Sequence, residues 1–303
     1  MNTISLTKGK REIMTGTVPT FQKIKTLLDM IKFEHTVFAL PFAYAGAFLA
    51  FGGIPDLATN FWILLAMAGA RTVAMGVNRV VDFEFDAENP RTKDRPLVSG
   101  AVKHREAIIM ILIAGAVYFL ASYNLTPLAF KLSPFILAIL VFYSYTKRFT
   151  KFCHLFLGFA IGLAPTAGWI AVKNSISLTP LLLSLGVMFW IAGFDVLYAC
   201  QDVEYDRQKG LHSIPAAYGK DKAFKISSLF HGLAFFFFMA TGISAKLNWI
   251  YYIGMASTFV LLLMQRRVIT PQDLSKMNLA FFKMNAAISI ILFSCTTLSL
   301  ITG

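Results

Sequence analysis

Two stretches of the chain carry oxygen-bearing side chains at intervals of four. In RTVAMGVNRVVDFEFDAENPRTKDRPLVSG, residues 71–100, Asn78, Asp82 and Asp86 recur at that spacing, and Arg91, Lys93 and Arg95 follow directly. On a helix a spacing of four stacks side chains on one face. The expectation is therefore a column of one amide and two carboxylates that ends in basic residues. In FDVLYACQDVEYDRQKGLHS, Asp195, Asp202 and Asp206 again close an apolar run, with Arg207 and Lys209 behind them. Hard oxygen donors of this kind suit Mg²⁺, which is commonly shared between a few carboxylates and the oxygens of a substrate phosphate. Taken alone, either stretch reads equally as a solvated helix end laced with Asp/Arg pairs. A second copy able to face the first favours the metal-and-phosphate chemistry.

The elements that must position these residues are set by composition. Apolar residues make up 56% of the 303 and charged residues only 15%, and the charges fall in short islands between long apolar runs. With a mean hydropathy of +0.63, this is the composition of an all-α protein that crosses a membrane many times. Nine apolar spans are expected, near 36–54, 58–77, 104–122, 128–146, 152–172, 178–199, 224–243, 248–265 and 284–301. Pro41, Pro134 and Pro165 fall within spans, where neighbouring helices absorb a kink. Residues 1 to about 30 are polar and basic, with no apolar h-region followed by a cleavage site, and 21–32 has the periodicity of an interfacial helix. Cys153, Cys200 and Cys295 show neither metal-ligand nor redox spacing and read as small apolar fillers. The five histidines, His35, His104, His154, His212 and His231, never pair at ligand spacing and read as packing or interfacial residues.

Basic residues assign an orientation. Of the 28 lysines and arginines, Lys131, Lys173 and Lys246 fall on one side of the expected spans and Arg71 within a span; all the others fall on the opposite side. By the positive-inside rule that richer side is cytoplasmic. The N-terminus and both acidic motifs then face the cytoplasm, and an odd number of spans puts the C-terminus outside. A net charge of +12 is read as loops held against an anionic leaflet and as sites for a phosphorylated substrate, not as a nucleic-acid surface.

These motifs resemble those of the UbiA superfamily of intramembrane aromatic prenyltransferases. The family pattern N-x-x-x-D-x-x-x-D is met by Asn78, Asp82 and Asp86, and its D-x-x-x-D partner by Asp202 and Asp206. Asp195 stands seven residues earlier, as in the 4-hydroxybenzoate branch. NPRTKDRPLVSG resembles that branch's arginine-containing loop, and YSYTKR, from Tyr143 to Arg148, resembles its Y-x-x-x-K element. The likeness runs over nearly the whole chain, so residues 1–303 are expected to form a single prenyltransferase unit in a prokaryotic inner membrane. The opening IKFEHTVFALPFAYAG departs from the commonest form of the branch and looks more like a subgroup linked to prenylating a naphthoate in an alternative menaquinone pathway. The acceptor therefore stays open between 4-hydroxybenzoate, of ubiquinone biosynthesis, and 1,4-dihydroxy-6-naphthoate.

The resemblance implies roles. Asn78, Asp82, Asp86, Asp202 and Asp206 hold Mg²⁺ against the diphosphate of a polyprenyl donor, with Asp82 and Asp202 central to turnover and Asp195 in support. Arg91, Arg95, Lys147 and Lys32 contact diphosphate oxygens. Arg71 grips the carboxylate of the aromatic acid; the alternative is a structural ion pair, with Asp195 as partner. Tyr143 either faces an allylic cation through its ring or anchors the chain at the membrane interface. Two other classes compete. A transporter also carries intramembrane charge, but its site belongs near the midplane on broken helices. A phosphatidyl transferase of the CDP-alcohol type is also Asp-rich, but its D-G-x-x-A-R opening is absent.

Overall fold

The structure, a computed structural model, describes residues 20–32 and 36–303. Most of the basic segment expected over residues 1–30, and His35, lie outside the described residues. Among these residues the chain is helical and no strand forms. Its elements are α1 (Thr20–Met30), α2 (Thr36–Phe51), α3 (Leu57–Val81), α4 (Phe83–Glu88), α5 (His104–Tyr123), α6 (Pro127–Thr146), α7 (Cys153–Lys173), α8 (Leu178–Ala199), α9 (Val203–Gln208), α10 (Ile214–Tyr218), α11 (Lys220–Ser244), α12 (Trp249–Val268), a π-helical turn (Leu279–Met284) and α13 (Asn285–Thr302).

Seven of the described helical segments are long and apolar enough to cross a membrane: α3, α5, α6, α7, α8, α11 and Phe282–Thr302. The nine-span expectation is met to that extent. Of the other two spans, the one over 36–54 folds as α2, whose 16 residues rise about 24 Å, short of a hydrocarbon core of roughly 30 Å. The one over 248–265 folds as α12, whose last turn carries Gln265, Arg266 and Arg267. Leu112, Ile113, Phe135, Leu229, Phe236 and Ile243 point outward. Apolar side chains there face lipid in a multi-pass membrane protein.

Inside the bundle α8 packs between α7 and α11, α2 lies on α7, and α3 lies on α5. Trp190 and Phe194 of α8, Phe42 of α2, Phe238 of α11 and Tyr251 of α12 form a buried cluster, with Phe42 and Trp190 rings 5.3 Å apart. Backbone contact between α2 and α7 depends on two glycines. A Cβ on Gly46 would lie 1.9 Å from the Pro165 carbonyl oxygen, and one on Gly168 would lie 1.9 Å from that of Ala43. Small residues that let helices approach closely are the usual device where apolar burial gives no net drive between helices in lipid. The helical periodicity of 21–32 is met by α1. Its end buries Met30 and Ile31 against Leu97, Val102 and Ala107, and Lys23 pairs with Glu106 of α5 at 2.8 Å.

Adding one methyl at Gly46 or Gly168 must push two backbones apart. Gly168→Ala is expected to destabilise the protein by about 1–3 kcal/mol, read as a lower midpoint in reversible unfolding in mixed micelles. Gly232→Ala, where a Cβ meets nothing within 4 Å, is expected to leave the midpoint unchanged or raise it slightly.

Candidate active site

The two acidic motifs share one local build. The long helix α3 ends at Val81, and Asp82 (φ −92, ψ 8) joins it to α4. The long helix α8 ends at Ala199, and Asp202 (φ −107, ψ 9) opens α9. In each motif the second Asp amide donates to the carbonyl of the first at 2.8 Å. The first Asp of each pair therefore sits in a junction, not midway along the continuous helix that the spacing predicts. Near-zero ψ belongs to the sparsely populated bridge region and breaks the helical path there. The four-residue backbone bond is kept across the break, so the carboxylates still stack.

Every motif carboxylate is met by a cation. Arg91 forks onto Asp202, Nε to Oδ1 at 2.9 Å and Nη2 to Oδ2 at 2.6 Å. Its Nη1 donates to the Tyr198 hydroxyl at 3.1 Å, and its guanidinium lies 5.2 Å from the centre of that ring. Arg95 pairs with Asp86. Lys147 Nζ is 2.7 Å from Asp206 Oδ1, close enough for an ion pair though not aligned as a hydrogen bond. Arg148 lies 3.6 Å from Asp82 Oδ1 and donates to the Val81 carbonyl at 2.7 Å. Asn78 donates to Asp82 at 2.7 Å, while its own oxygen accepts from Arg79 at 3.0 Å. The motifs are also tied directly, since the Tyr205 hydroxyl donates to the Phe85 carbonyl at 2.6 Å and Lys209 pairs with Glu88.

The surroundings split these acids by charge preference. Burial raises Asp82, and the neighbouring Asp86 carboxylate raises it further, against the pull of Arg148 and Lys147. Burial pushes Asp202 the same way, but the Arg91 fork outweighs it and holds this carboxyl below its ordinary value. Burial also raises Asp206, more than Lys147 and Ser213 lower it. That side chain is fully buried, and its Oδ2 accepts from Ser213 at 3.0 Å.

Three cavities that share lining residues lie between the motifs and the bundle interior. The outermost, about 130 Å³, is lined by Asn78, Asp82, Asp86 and Asp202 together with Arg91, Arg95 and Lys147. Asp206 stands behind its wall. The largest, about 960 Å³, carries one face of α3 (Arg71, Met75, Asn78) and one face of α8 (Ile191, Asp195, Tyr198), with Lys32 at its edge. The innermost, about 140 Å³, is walled by alanines and leucines, and Arg71 and Tyr143 line both it and its neighbour. The structure thus gathers the expected residues along one path, charged at one end and apolar at the other.

Two expectations change. Arg71 is not paired with Asp195; its Nη2 donates to the Lys32 carbonyl at 3.3 Å, while Asp195 Oδ2 is 2.6 Å from His154 Nδ1. Tyr143 is a cavity-wall residue and not an interface anchor, with its hydroxyl 4.0 Å from Met75 Sδ. Sequence reasoning passed over Asn89, which donates to Asp202 at 3.2 Å and accepts from the Arg91 amide at 2.9 Å. It also passed over Arg79, Arg148, Tyr198 and His154. Asn89 lies in NPRTKDRPLVSG and Arg148 in YSYTKR, and both were findable there; His154 carries no local signal.

Among the described residues no three His, Cys, Asp or Glu side chains form a closed metal site. The donors are all oxygen and come as a set of three (Asn78, Asp82, Asp86) and a pair (Asp202, Asp206). That fits a hard cation that completes its shell with phosphate oxygens rather than a caged structural metal.

Comparison with known proteins is consistent with this arrangement. Residues 39–287 match the UbiA prenyltransferase family. The 4-hydroxybenzoate octaprenyltransferase of Shewanella oneidensis is 31% identical over 212 residues, covering 70% of this chain and 73% of that protein. The solved UbiA homologue from Aeropyrum pernix K1 superposes with a TM-score of 0.79 at 34% identity, over 86% of this chain and 96% of that one. A homologue from Archaeoglobus fulgidus, solved with DMAPP and Mg²⁺, gives a TM-score of 0.70 at 18% identity over 92% and 100% of the two chains, a likeness of fold.

The Arg91–Asp202 fork joins the loop of one motif to the junction of the other, so its removal must be felt as coupling. Arg91→Ala, Asp202→Ala and the double variant are expected to give a coupling energy of about 1–3 kcal/mol in a double-mutant unfolding cycle. Additive effects would mean that the fork contributes nothing to the fold.

Proposed function

The chain belongs to the UbiA prenyltransferase family, and on that premise we propose that it transfers a polyprenyl group from its diphosphate to a ring carbon of an aromatic acid, releasing diphosphate. One observation carries the reading. Paired acidic motifs and arginines line one end of a path that turns apolar beyond Arg71 and Tyr143. A diphosphate needs the first environment and an isoprenoid chain the second.

The reaction's difficulty is the departure of diphosphate, whose growing charge must be neutralised. Asn78, Asp82, Asp86, Asp202 and Asp206 are the residues assigned to hold Mg²⁺, which when bound supplies part of that neutralisation. Arg91, Arg95, Lys147 and Lys32 supply the rest by contacting diphosphate oxygens. For Arg91 this means exchanging a forked carboxylate contact for a phosphate one, and for Arg95 exchanging a single carboxylate contact. As the allylic C–O bond breaks, its electron pair leaves with diphosphate, and the ring face of Tyr143 stabilises the allylic cation. Arg71, at the boundary between the polar and apolar cavities, holds the acceptor's carboxylate so that the ring lies against that cation. The enzyme works with its N-terminus and motifs on the cytoplasmic side, as one unit over residues 1–303.

The acceptor is 4-hydroxybenzoate, the substrate in the name of the Shewanella relative. A second reading, 1,4-dihydroxy-6-naphthoate, is favoured by the segment IKFEHTVFALPFAYAG, which leads into α2. Membranes given labelled polyprenyl diphosphate and both acids are expected to form one C-prenylated product, and its identity decides between the two. No prenylated aromatic from either acid would overturn the proposal.

Asp82→Ala and Asp202→Ala are each expected to cut turnover by roughly 10³-fold or more, a loss of several kcal/mol of barrier stabilisation, in protein that remains folded. Chelator is expected to silence wild-type enzyme and added Mg²⁺ to restore it. Full activity in excess chelator would end the metal assignment.

Arg71→Ala is expected to raise the acceptor KM strongly and to leave donor KM nearly unchanged. Arg71→Lys restores only part, because an ammonium cannot make a two-pronged contact. Donor and acceptor KM rising together would mark Arg71 as a structural tie to Lys32 rather than an acid-binding residue.

A further inference from the structure

Ring substitution ends with loss of a proton from the carbon that has been prenylated, and that proton needs an acceptor. The motif acids are poorly placed for it. Asp86 and Asp202 are held by arginines, Asp82 is flanked by Arg148 and the Asn78 amide, and Asp206 is fully buried. Asp29 and Asp94 also touch the 960 Å³ cavity but are exposed at its rim. Asp195 differs from all of these. It lies on the cavity-facing side of α8, one turn before Tyr198, and its side chain is 24% exposed.

Its depth is also specific. Asp195 lies four residues before the end of α8 at Ala199, and Arg71 ten residues before the end of α3 at Val81. Both long helices end at their acidic motifs, so both side chains lie inward of the motifs and line the same cavity, with Arg71 roughly 9 Å the deeper. An aromatic acid whose carboxylate is held at Arg71 and whose ring points toward the motifs brings that ring toward the level of Asp195.

The imidazole behind Asp195 is fixed. His154 of α7 is 2% exposed. Its Nε2 accepts from the Ile214 amide at 3.3 Å, so Nδ1 carries the proton and donates to Asp195 Oδ2 at 2.6 Å. The ring therefore orients the carboxylate through Oδ2, and among the described residues no donor engages Asp195 Oδ1. The same backbone amide belongs to the turn that holds the second motif. Ser213, next to Ile214, caps α10 and donates to Asp206.

We propose that Asp195 accepts the ring proton and that His154 is the positioning residue that turns its carboxylate toward the ring. This rests on the prenyl-transfer reading above. When the ring's π pair forms the new C–C bond to the allylic carbon, the C–H bond at the attacked carbon breaks. Its electron pair restores the aromatic ring, and its proton moves to Asp195 Oδ1. The carboxylic acid so formed returns the proton to water through the polar cavity. His154 keeps its own proton on Nδ1 throughout.

The experiment uses the full chain with acceptor deuterated at the substituted ring position. In wild type, proton loss follows the slower ionisation, and the two acceptors react at equal rates. Asp195→Asn, nearly isosteric, is expected to lower kcat by about 10²- to 10⁴-fold, to leave acceptor KM nearly unchanged, and to expose a primary isotope effect. His154→Phe is expected to show part of that loss and the same isotope effect. His154→Asn, which keeps an N–H donor near the Nδ1 position, is expected to restore much of the rate. An isotope effect that does not change between wild type and Asp195→Asn overturns the proposal, as does a rise in acceptor KM alone. If His154→Phe does not fold, Asp195→Asn and His154→Asn still decide the matter. The prenyl-transfer reading is tested on wild type alone, by whether any aromatic acid is prenylated, so the two failures are distinguishable.

Discussion

Carboxylates gathered at one end of an apolar bundle must be compensated where they stand, because unpaired buried charge is far costlier than any packing gain around it. The rest of this structure follows from how that is done. Each motif Asp is met by a cation from a different element: Arg91 and Arg95 from the loop after α4, and Lys147 and Arg148 from the end of α6. The ion pairs therefore act as cross-links between α3, α6 and α8 at their polar ends. In the proposed reaction they are also the contacts that a phosphate would displace or join. A planar guanidinium on a carboxylate is already in the geometry that a phosphate needs.

Below that charged end the helices can approach closely only where side chains are small. The crossing of α2 and α7 at Gly46 and Gly168 brings α2 against the wall of the inner cavity, where Ala39 and Ala43 line it beside Ala164 and Gly168 of α7. Small side chains thus serve two ends. They allow backbone contact, and they leave an apolar space beneath the polar one. Arg71 stands at the boundary, its guanidinium reaching the Lys32 carbonyl at the end of α1. Arg79, two turns on, donates to the Met30 carbonyl at 3.1 Å. Two arginines on α3 thereby hold the end of α1 beside the cavity.

The helical bundle and both acidic motifs are legible in the sequence. Long apolar runs in a chain with few charges have one stable solution in lipid, because every backbone polar group must be satisfied within its own segment. The four-residue spacing of Asn78, Asp82 and Asp86, and of Asp202 and Asp206, survives even though each motif breaks at its first Asp. The same i-to-i+4 backbone bond spans both breaks. Span count was less secure. α2 and α12 differ from the seven clear segments in length and in terminal charge, features that a hydropathy pattern blurs at helix ends.

What the sequence alone determined was therefore whatever depends on near neighbours in the chain: helix, motif, the basic residues beside each motif, and the family they resemble. What only the tertiary structure decided was which distant groups meet. Asn89 joins Asp202 across 113 positions, and His154 joins Asp195 across 41. Nothing in the local pattern around His154 distinguishes it from a packing histidine, and Arg71 had a plausible partner in Asp195 that it does not take. Local spacing sets the face on which a side chain emerges. Its partner is set by how helices far apart in sequence cross, and that depends on packing no single segment contains.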